Sequence, residues 1–147
     1  MSQILHYDSE PIYTLSIAAK LSNTPAHSIR QYIDKGLLIP FKKDTNRHLF
    51  SAYDIQRLIW IKKSIEERGL NFAGIKTQLA LIPCWKITGC KSKSRNTCDA
   101  YYSNDQPCWL ASEKGKECKN KECRLCEVYR LMLPDTDVKA VFKRFMV

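Results

Sequence analysis

The chain has 147 residues, 44% hydrophobic and 27% charged, enough to bury a core as one domain or two small ones. A formal net charge of +9 points to a polyanionic partner more readily than to an acidic small molecule. No run of 18 apolar residues occurs, and Met1 to Glu10 lack the basic end and apolar stretch of a secretory signal, so no membrane span is expected and the cytoplasm is the expected compartment. The positive excess is shared. Residues 1–83 hold 11 Lys and Arg against 7 Asp and Glu, and residues 84–147 hold 13 against 8, so charge alone does not say which half meets nucleic acid.

In chain order, the first half reads as short helices with clear punctuation. Ser16 is positioned to cap a helix through Leu21, with Ile17, Ala18 and Leu21 at helical spacing. Ser22 and Asn23 break it. Thr24-Pro25 is a start signal, a hydroxyl acceptor followed by a proline that has no N–H to lose, for a second helix to about Lys35 that stops at Gly36. Two short helices joined by a tight turn describe a helix-turn-helix. Ile29 and Ile33 face inward on the second, leaving His27, Ser28, Arg30, Gln31 and Lys35 outside or at the edge, a polar face of a width suited to a major groove.

Leu37-Leu38-Ile39 before Pro40 reads as a strand, and residues 41–50 as a two-stranded ribbon turning near Asp44 to Asn46, with Lys42, Lys43 and Arg47 making it a basic wing. Ser51-Ala52-Tyr53-Asp54 has the outline of a capping box with Asp in place of Glu. It opens a helix that Gly69 ends. Asn71 caps the next helix, and Pro83 closes the segment.

The runs Ile29-Arg30-Gln31-Tyr32, Lys35-Gly36-Leu37-Leu38-Ile39-Pro40, Asn46-Arg47, Phe50-Ser51 with Asp54-Ile55, and Gly69-Leu70-Asn71-Phe72-Ala73-Gly74-Ile75 resemble the winged-helix domain of MerR-family transcription regulators, and the Arg-Gln-Tyr and Asn-Phe-Ala-Gly-Ile runs look most like the heat-shock repressor branch. The resemblance implies a domain over residues 11–82 that binds double-stranded promoter DNA as a dimer. It places Ser28, Arg30 and Tyr32 on the recognition helix, with Arg47 on the wing at the phosphate backbone or minor groove, and makes His27 the position most apt to vary with operator sequence. Two of these have a plainer alternative. Tyr32 can serve as a packing ring against the wing, and Arg30 can pair with Asp34 one turn away. Lys42 and Lys43 suit phosphate contacts, to which most protein–DNA hydrogen bonds go. Family members follow this domain with a long coiled-coil helix, but no heptad run follows Pro83. A homodimer by an unusual interface is therefore expected.

Seven cysteines occupy the last 64 residues: Cys84, Cys90, Cys98, Cys108, Cys118, Cys123 and Cys126. The loops between them are rich in Gly, Ser, Lys and Asn, so cross-linking has to order residues 84–130. The three histidines lie at 6, 27 and 48, which leaves a tail metal to thiolates or carboxylates, and an all-thiolate set suits Zn2+ or an iron–sulfur cluster. Cys118-x4-Cys123-x2-Cys126 has the gaps of three ligands of plant-type ferredoxins, the fourth being Cys84, Cys90, Cys98 or Cys108. The repeated Cys-Trp dipeptide, Pro107 before the second, and Cys123-x2-Cys126-Glu127-Val128-Tyr129 resemble a small cysteine-rich module of bacterial signalling proteins called a two-CW domain, which implies a sensory or ligand-binding accessory role. Three states compete for the tail: an iron–sulfur cluster, favoured; structural Zn2+ with three spare thiols; or two or three disulfides as a thiol switch.

Residues 135–147 read as an amphipathic helix capped by Asp135 or Thr136, either docked on its own domain or serving as the dimer contact. With no glycine-rich phosphate loop and no histidine near the thiols, an enzyme is not expected. The reading is a mainly α, winged helix-turn-helix regulator with a cysteine-rich sensory tail. The alternatives are a thiol-disulfide redox protein using Cys123 and Cys126, with Arg124 between them lowering a thiol pKa, and a protein-binding adaptor.

Overall fold

The computed structural model describes residues 8–146. Helix α1 (Leu15–Ser22) is capped by Thr14, whose hydroxyl accepts from Ile17 N at 3.4 Å. Ser16, the expected cap, lies inside the first turn. Asn23 ends the helix at φ 51, a left-handed position that asparagine tolerates. Thr24 does not cap α2 (Ala26–Asp34). It is buried, and its hydroxyl is already spent donating to Ser22 O at 3.2 Å. The first turn of α2 is held instead by the Pro25 carbonyl, which accepts from Ser28 N and Ile29 N.

Leu37 to Ile39 do not form the expected strand. Gly36 turns the chain at φ +76, Leu37 N bonds back to Tyr32 O at 2.9 Å, and Leu37 and Leu38 are both fully buried. Consecutive strand residues would point to opposite faces, so a core that takes both requires a turn. The wing is as expected but short: β1 (Phe41–Lys42) pairs antiparallel with β2 (His48–Leu49), and Asn46 at φ 63 makes the turn.

Helix α3 (Ala52–Glu66) opens on the full capping box. Asp54 N donates to Ser51 Oγ at 3.1 Å and Ser51 N donates to Asp54 Oδ2 at 2.8 Å, satisfying two orphan donors at once. Burial holds the Asp54 carboxyl above its ordinary range, against the two Ser51 hydrogen bonds and the more distant Arg124 and Arg57. Helix α4 (Phe72–Ala80) is capped by Asn71 Oδ1, which accepts from Gly74 N at 2.8 Å.

Beyond Pro83 the chain makes only short turns: α5 (Cys84–Ile87), α6 (Ser92–Arg95), α7 (Asp99–Tyr102), 3-10 turns at Cys108–Leu110 and Cys123–Leu125, and α8 (Glu127–Arg130). A last helix, α9 (Val138–Phe145), is capped by Asp137, not Asp135 or Thr136; its carboxylate accepts from Ala140 N at 2.7 Å. Val138, Val141 and Phe145 pack on the core, so much of the apolar face of α9 is used within the chain. The two halves share one core, in which Leu37, Leu38, Tyr53 and Trp60 join Trp109, Val128, Tyr129, Met132 and Val141. No helix among the described residues is long and apolar enough to cross a membrane.

Candidate functional site

Two sites stand out. The first is the outer face of α2 and the wing. His27, Arg30 and Gln31 are exposed on α2, Ser28 is half-buried, and Lys42, Lys43 and Arg47 are exposed on the ribbon. Among the described residues none of these cations has an ion-pair partner; Arg30 does not pair with Asp34. Tyr32 sits differently from its neighbours. It is 6% exposed, and its ring meets Phe72 of α4 edge-on at 6.0 Å. It packs, though on α4 and not on the wing. Burial, then Glu66, raises its phenol above the ordinary range, so it stays neutral.

The second site is a small cavity of about 40 Å³, partly open to solvent, whose lining includes all seven cysteines. Residues from 84 to 126 therefore converge on one point, although only four-residue helices and 3-10 turns carry them. All seven are free thiols. Burial first, and then Cys98, Cys118 and Cys90, push the Cys84 thiol up to about 12. Cys108 is pushed up by burial and by Cys84, Cys126, Cys123 and Cys118, and Cys118 rises by burial against the opposing charge of Lys121. The Cys84, Cys108 and Cys118 thiols therefore stay protonated near neutral pH unless a cation arrives to replace their protons.

Lys114 Nζ donates to Cys123 Sγ at 3.4 Å, and Arg95 and Lys121 also line the cavity. Arg124, which the sequence offered as the activator of the Cys123–Cys126 pair, turns away. Its Nη1 donates to Ser9 O at 2.8 Å, its Nε lies 3.6 Å from Glu122, and its guanidinium covers the Phe41 ring at 5.6 Å. The basic group at those thiols is Lys114.

The sites meet at a joint that the sequence did not reveal. Arg57 of α3 is fully buried. Its Nε donates to Leu37 O and its Nη1 to Tyr129 O, both at 2.7 Å. Its guanidinium lies 3.9 Å from the Tyr129 ring centre and 5.0 Å from that of Trp109. Trp109 Nε1 donates to Gly36 O at 2.7 Å, Ile39 N donates to Tyr129 Oη at 2.7 Å, and Tyr53 Oη donates to Tyr129 O at 2.7 Å. Trp109 follows Cys108, and Tyr129 follows Cys126 by three residues. The cavity wall is thus hydrogen-bonded to the segment 36–39, which links α2 to the wing. The readable sign was Arg57 on the helical face it shares with Tyr53, Trp60, Ile61 and Ser64, a cation in a buried stripe.

Two helices, a tight turn and a two-stranded ribbon define the front half as a winged helix-turn-helix domain. Residues 13–81 match the family described as MerR HTH family regulatory protein, so the chain carries a MerR-family helix-turn-helix domain there. Over 73 residues it is 37% identical to the HTH-type transcriptional regulator GlnR of Bacillus anthracis and to that of Bacillus cereus, in each case covering 50% of this chain and 56% of the relative. Over 74 residues it is 34% identical to the heat shock protein HspR of Streptomyces coelicolor, covering 50% of this chain and 49% of the relative. The chain spans about half the length of the curated relatives it matches, and the family match, ending at residue 81, leaves the cysteine-rich half aside.

Proposed function

We propose that the chain is a DNA-binding transcription regulator whose grip on promoter DNA is set by a metal or iron–sulfur group held in the thiol cavity. The observation that carries this reading is the joint: Trp109 and Tyr129, which line the cavity, hold Gly36 and Ile39, the two ends of the segment that orients α2 against the wing. A change of charge or volume among the thiols displaces those two side chains and alters the angle between the reading helix and the ribbon. The group itself supplies the responsive chemistry, and the chain supplies the lever. Two copies acting together reach two half-sites one helical turn apart, and because α9 is docked on its own core, that pairing uses another surface.

In the DNA-bound arrangement His27, Arg30 and Gln31 face base edges, while Lys42, Lys43 and Arg47 lie on phosphates. Arg47→Ala is expected to weaken binding to all sequences alike and to lower the slope of log K against log salt by about one. His27→Ala is expected to leave the slope alone and to relax preference at one or two base pairs, a loss of roughly 1–3 kcal/mol of discrimination. Binding titrations at several salt concentrations with a base-substituted operator set separate the two. If Arg47→Ala shifts base preference at constant slope, the wing does not lie where proposed.

A further inference from the structure

The positive charge of the second half is concentrated. Residues 86–95 and 114–121 hold eight Lys and Arg against one acid, Glu117, while the rest of residues 84–147 hold five against seven. The fold puts these two basic stretches side by side. Glu117 Oε1 accepts from Lys91 N at 3.1 Å, and Gly115 is buried so close to the 91–94 turn that a Cβ there would lie 2.9 Å from Ser94 O. That contact leaves no room for a side chain, so the two stretches form one held surface.

Some of the eight cations turn inward. Arg95 donates to Cys90 O at 3.0 Å and Lys114 to Cys123 Sγ at 3.4 Å. Lys91, Lys93 and Lys116 are exposed, and with Ser92, Ser94 and Glu117 they line one open hollow. Among the described residues none of the three lies within ion-pair distance of an acid. The single acid in the hollow is occupied in tying down the 91–94 turn. Like charges held together in this way repel one another, and a polyanion that neutralises them gains by releasing its own counterions.

The place of the hollow in the chain favours duplex DNA. The stretch carrying Lys116, Lys119 and Lys121 runs on to Arg124, whose guanidinium covers the Phe41 ring of β1 at 5.6 Å. Lys116 stands eight residues before Arg124, which bounds their separation at about 29 Å, less than one turn of B-DNA at about 34 Å. A duplex resting on the wing therefore has phosphates within that distance of the hollow. Its lining of Lys, Ser and Glu offers donors to phosphate and no ring on which an unpaired base stacks.

We propose that Lys91, Lys93 and Lys116 form a second phosphate-binding surface, which holds the duplex flanking the sequence read by α2 and the wing. This rests on the reading of the chain as a DNA-binding regulator and adds a contact outside the winged-helix domain. The contact is with backbone, so it raises affinity for all sequences alike and leaves base preference to α2.

The test uses the full chain and two double-stranded DNAs of unselected sequence, one of about one helical turn and one of about four, with affinity measured over a range of salt. At about 0.9 per phosphate neutralised, K91Q/K93Q/K116Q is expected to lower the slope of log K against log salt by about two to three on the long duplex, and by less than about one on the short one. The matched variant K139Q/K143Q/R144Q removes the same charge from α9 and is expected to leave the slope unchanged. All six positions are exposed, so both variants are expected to keep the far-ultraviolet circular dichroism of the wild type. A long-duplex slope that the first variant leaves unchanged, while Arg47→Ala lowers it, overturns this surface and leaves the wing in place. Equal losses in the two triple variants show an effect of net charge and overturn it as well. Loss of single-stranded RNA binding in the first variant, with duplex binding untouched, gives the surface to RNA and overturns the duplex. A wild type that binds neither DNA overturns the DNA-binding reading itself.

Discussion

Replacing Arg57 with Leu is expected to lower the stability of the chain by about 1–3 kcal/mol, because it leaves the buried Leu37 carbonyl without its side-chain donor, and a buried polar group left without a partner costs about 1–3 kcal/mol. Leucine keeps an apolar side chain at that place, so the loss is chiefly of hydrogen bonds and of the guanidinium's stacking on Tyr129 and Trp109. Tyr129 O keeps the hydrogen bond it accepts from Tyr53 Oη at 2.7 Å, so the damage centres on Leu37 O. Leu37 O and Tyr129 O, the two carbonyls that Arg57 bridges, belong to opposite halves of the chain. Urea unfolding followed by Trp fluorescence measures the effect, as a shift of the midpoint at constant m. A loss below about 0.5 kcal/mol, the range of an ordinary surface substitution, would mean that Arg57 does not join the halves.

Gly36→Ala tests the same joint from the other side. At φ +76 an alanine is strained by about 1–2 kcal/mol, and its Cβ would lie 2.6 Å from Leu110 Cδ2 and 2.7 Å from Cδ1. Leu110 is part of the turn that carries Cys108 and Trp109, and its side chain is partly exposed, so it has room to swing away. The variant is expected to lose about 1–2 kcal/mol from backbone strain, plus whatever displacing Leu110 adds. Adding Leu110→Ala should return the second part and not the first. Thermal or urea unfolding of the two single variants and the double closes that cycle. Additive losses in the double variant would show that the two residues do not touch in solution.

What the sequence disclosed depended on the range of the physics involved. The Ser51–Asp54 box and the Asn71 cap were legible because a cap is decided within four residues, and the wing because a ribbon with a tight turn announces itself in a ten-residue window. Ser16, Thr24 and Asp135 were misplaced as caps by one or two residues for a related reason. Thr14 and Asp137 offer equivalent acceptors, and only tertiary position decides among neighbours. The strand at Leu37 to Ile39 failed because an apolar triplet does not say whether it alternates or turns, and Gly36 before it was the deciding residue. For the seven cysteines the sequence disclosed the chemistry and not the geometry. Spacing allowed several ligand sets, and the fold brings all seven thiols to the lining of one cavity. The Arg57–Tyr129 and Gly36–Trp109 bonds were not legible, although Arg57 stood out in its stripe, because each joins residues 70 or more apart in sequence. The division at Pro83 suggested by composition does not carry through to the packing, where one core spans both halves.

The central claim is that the exposed face of α2 and the wing bind a duplex under control of the thiol cavity. Affinity for promoter fragments, measured with the full chain iron-loaded, metal-stripped and air-oxidised, tests it directly. The account predicts binding that falls steeply between about 50 and 200 mM salt and differs at least several-fold between thiol states at one salt concentration. Equal affinity in all three states would contradict the control, and no binding to any fragment in any state would contradict the claim as a whole.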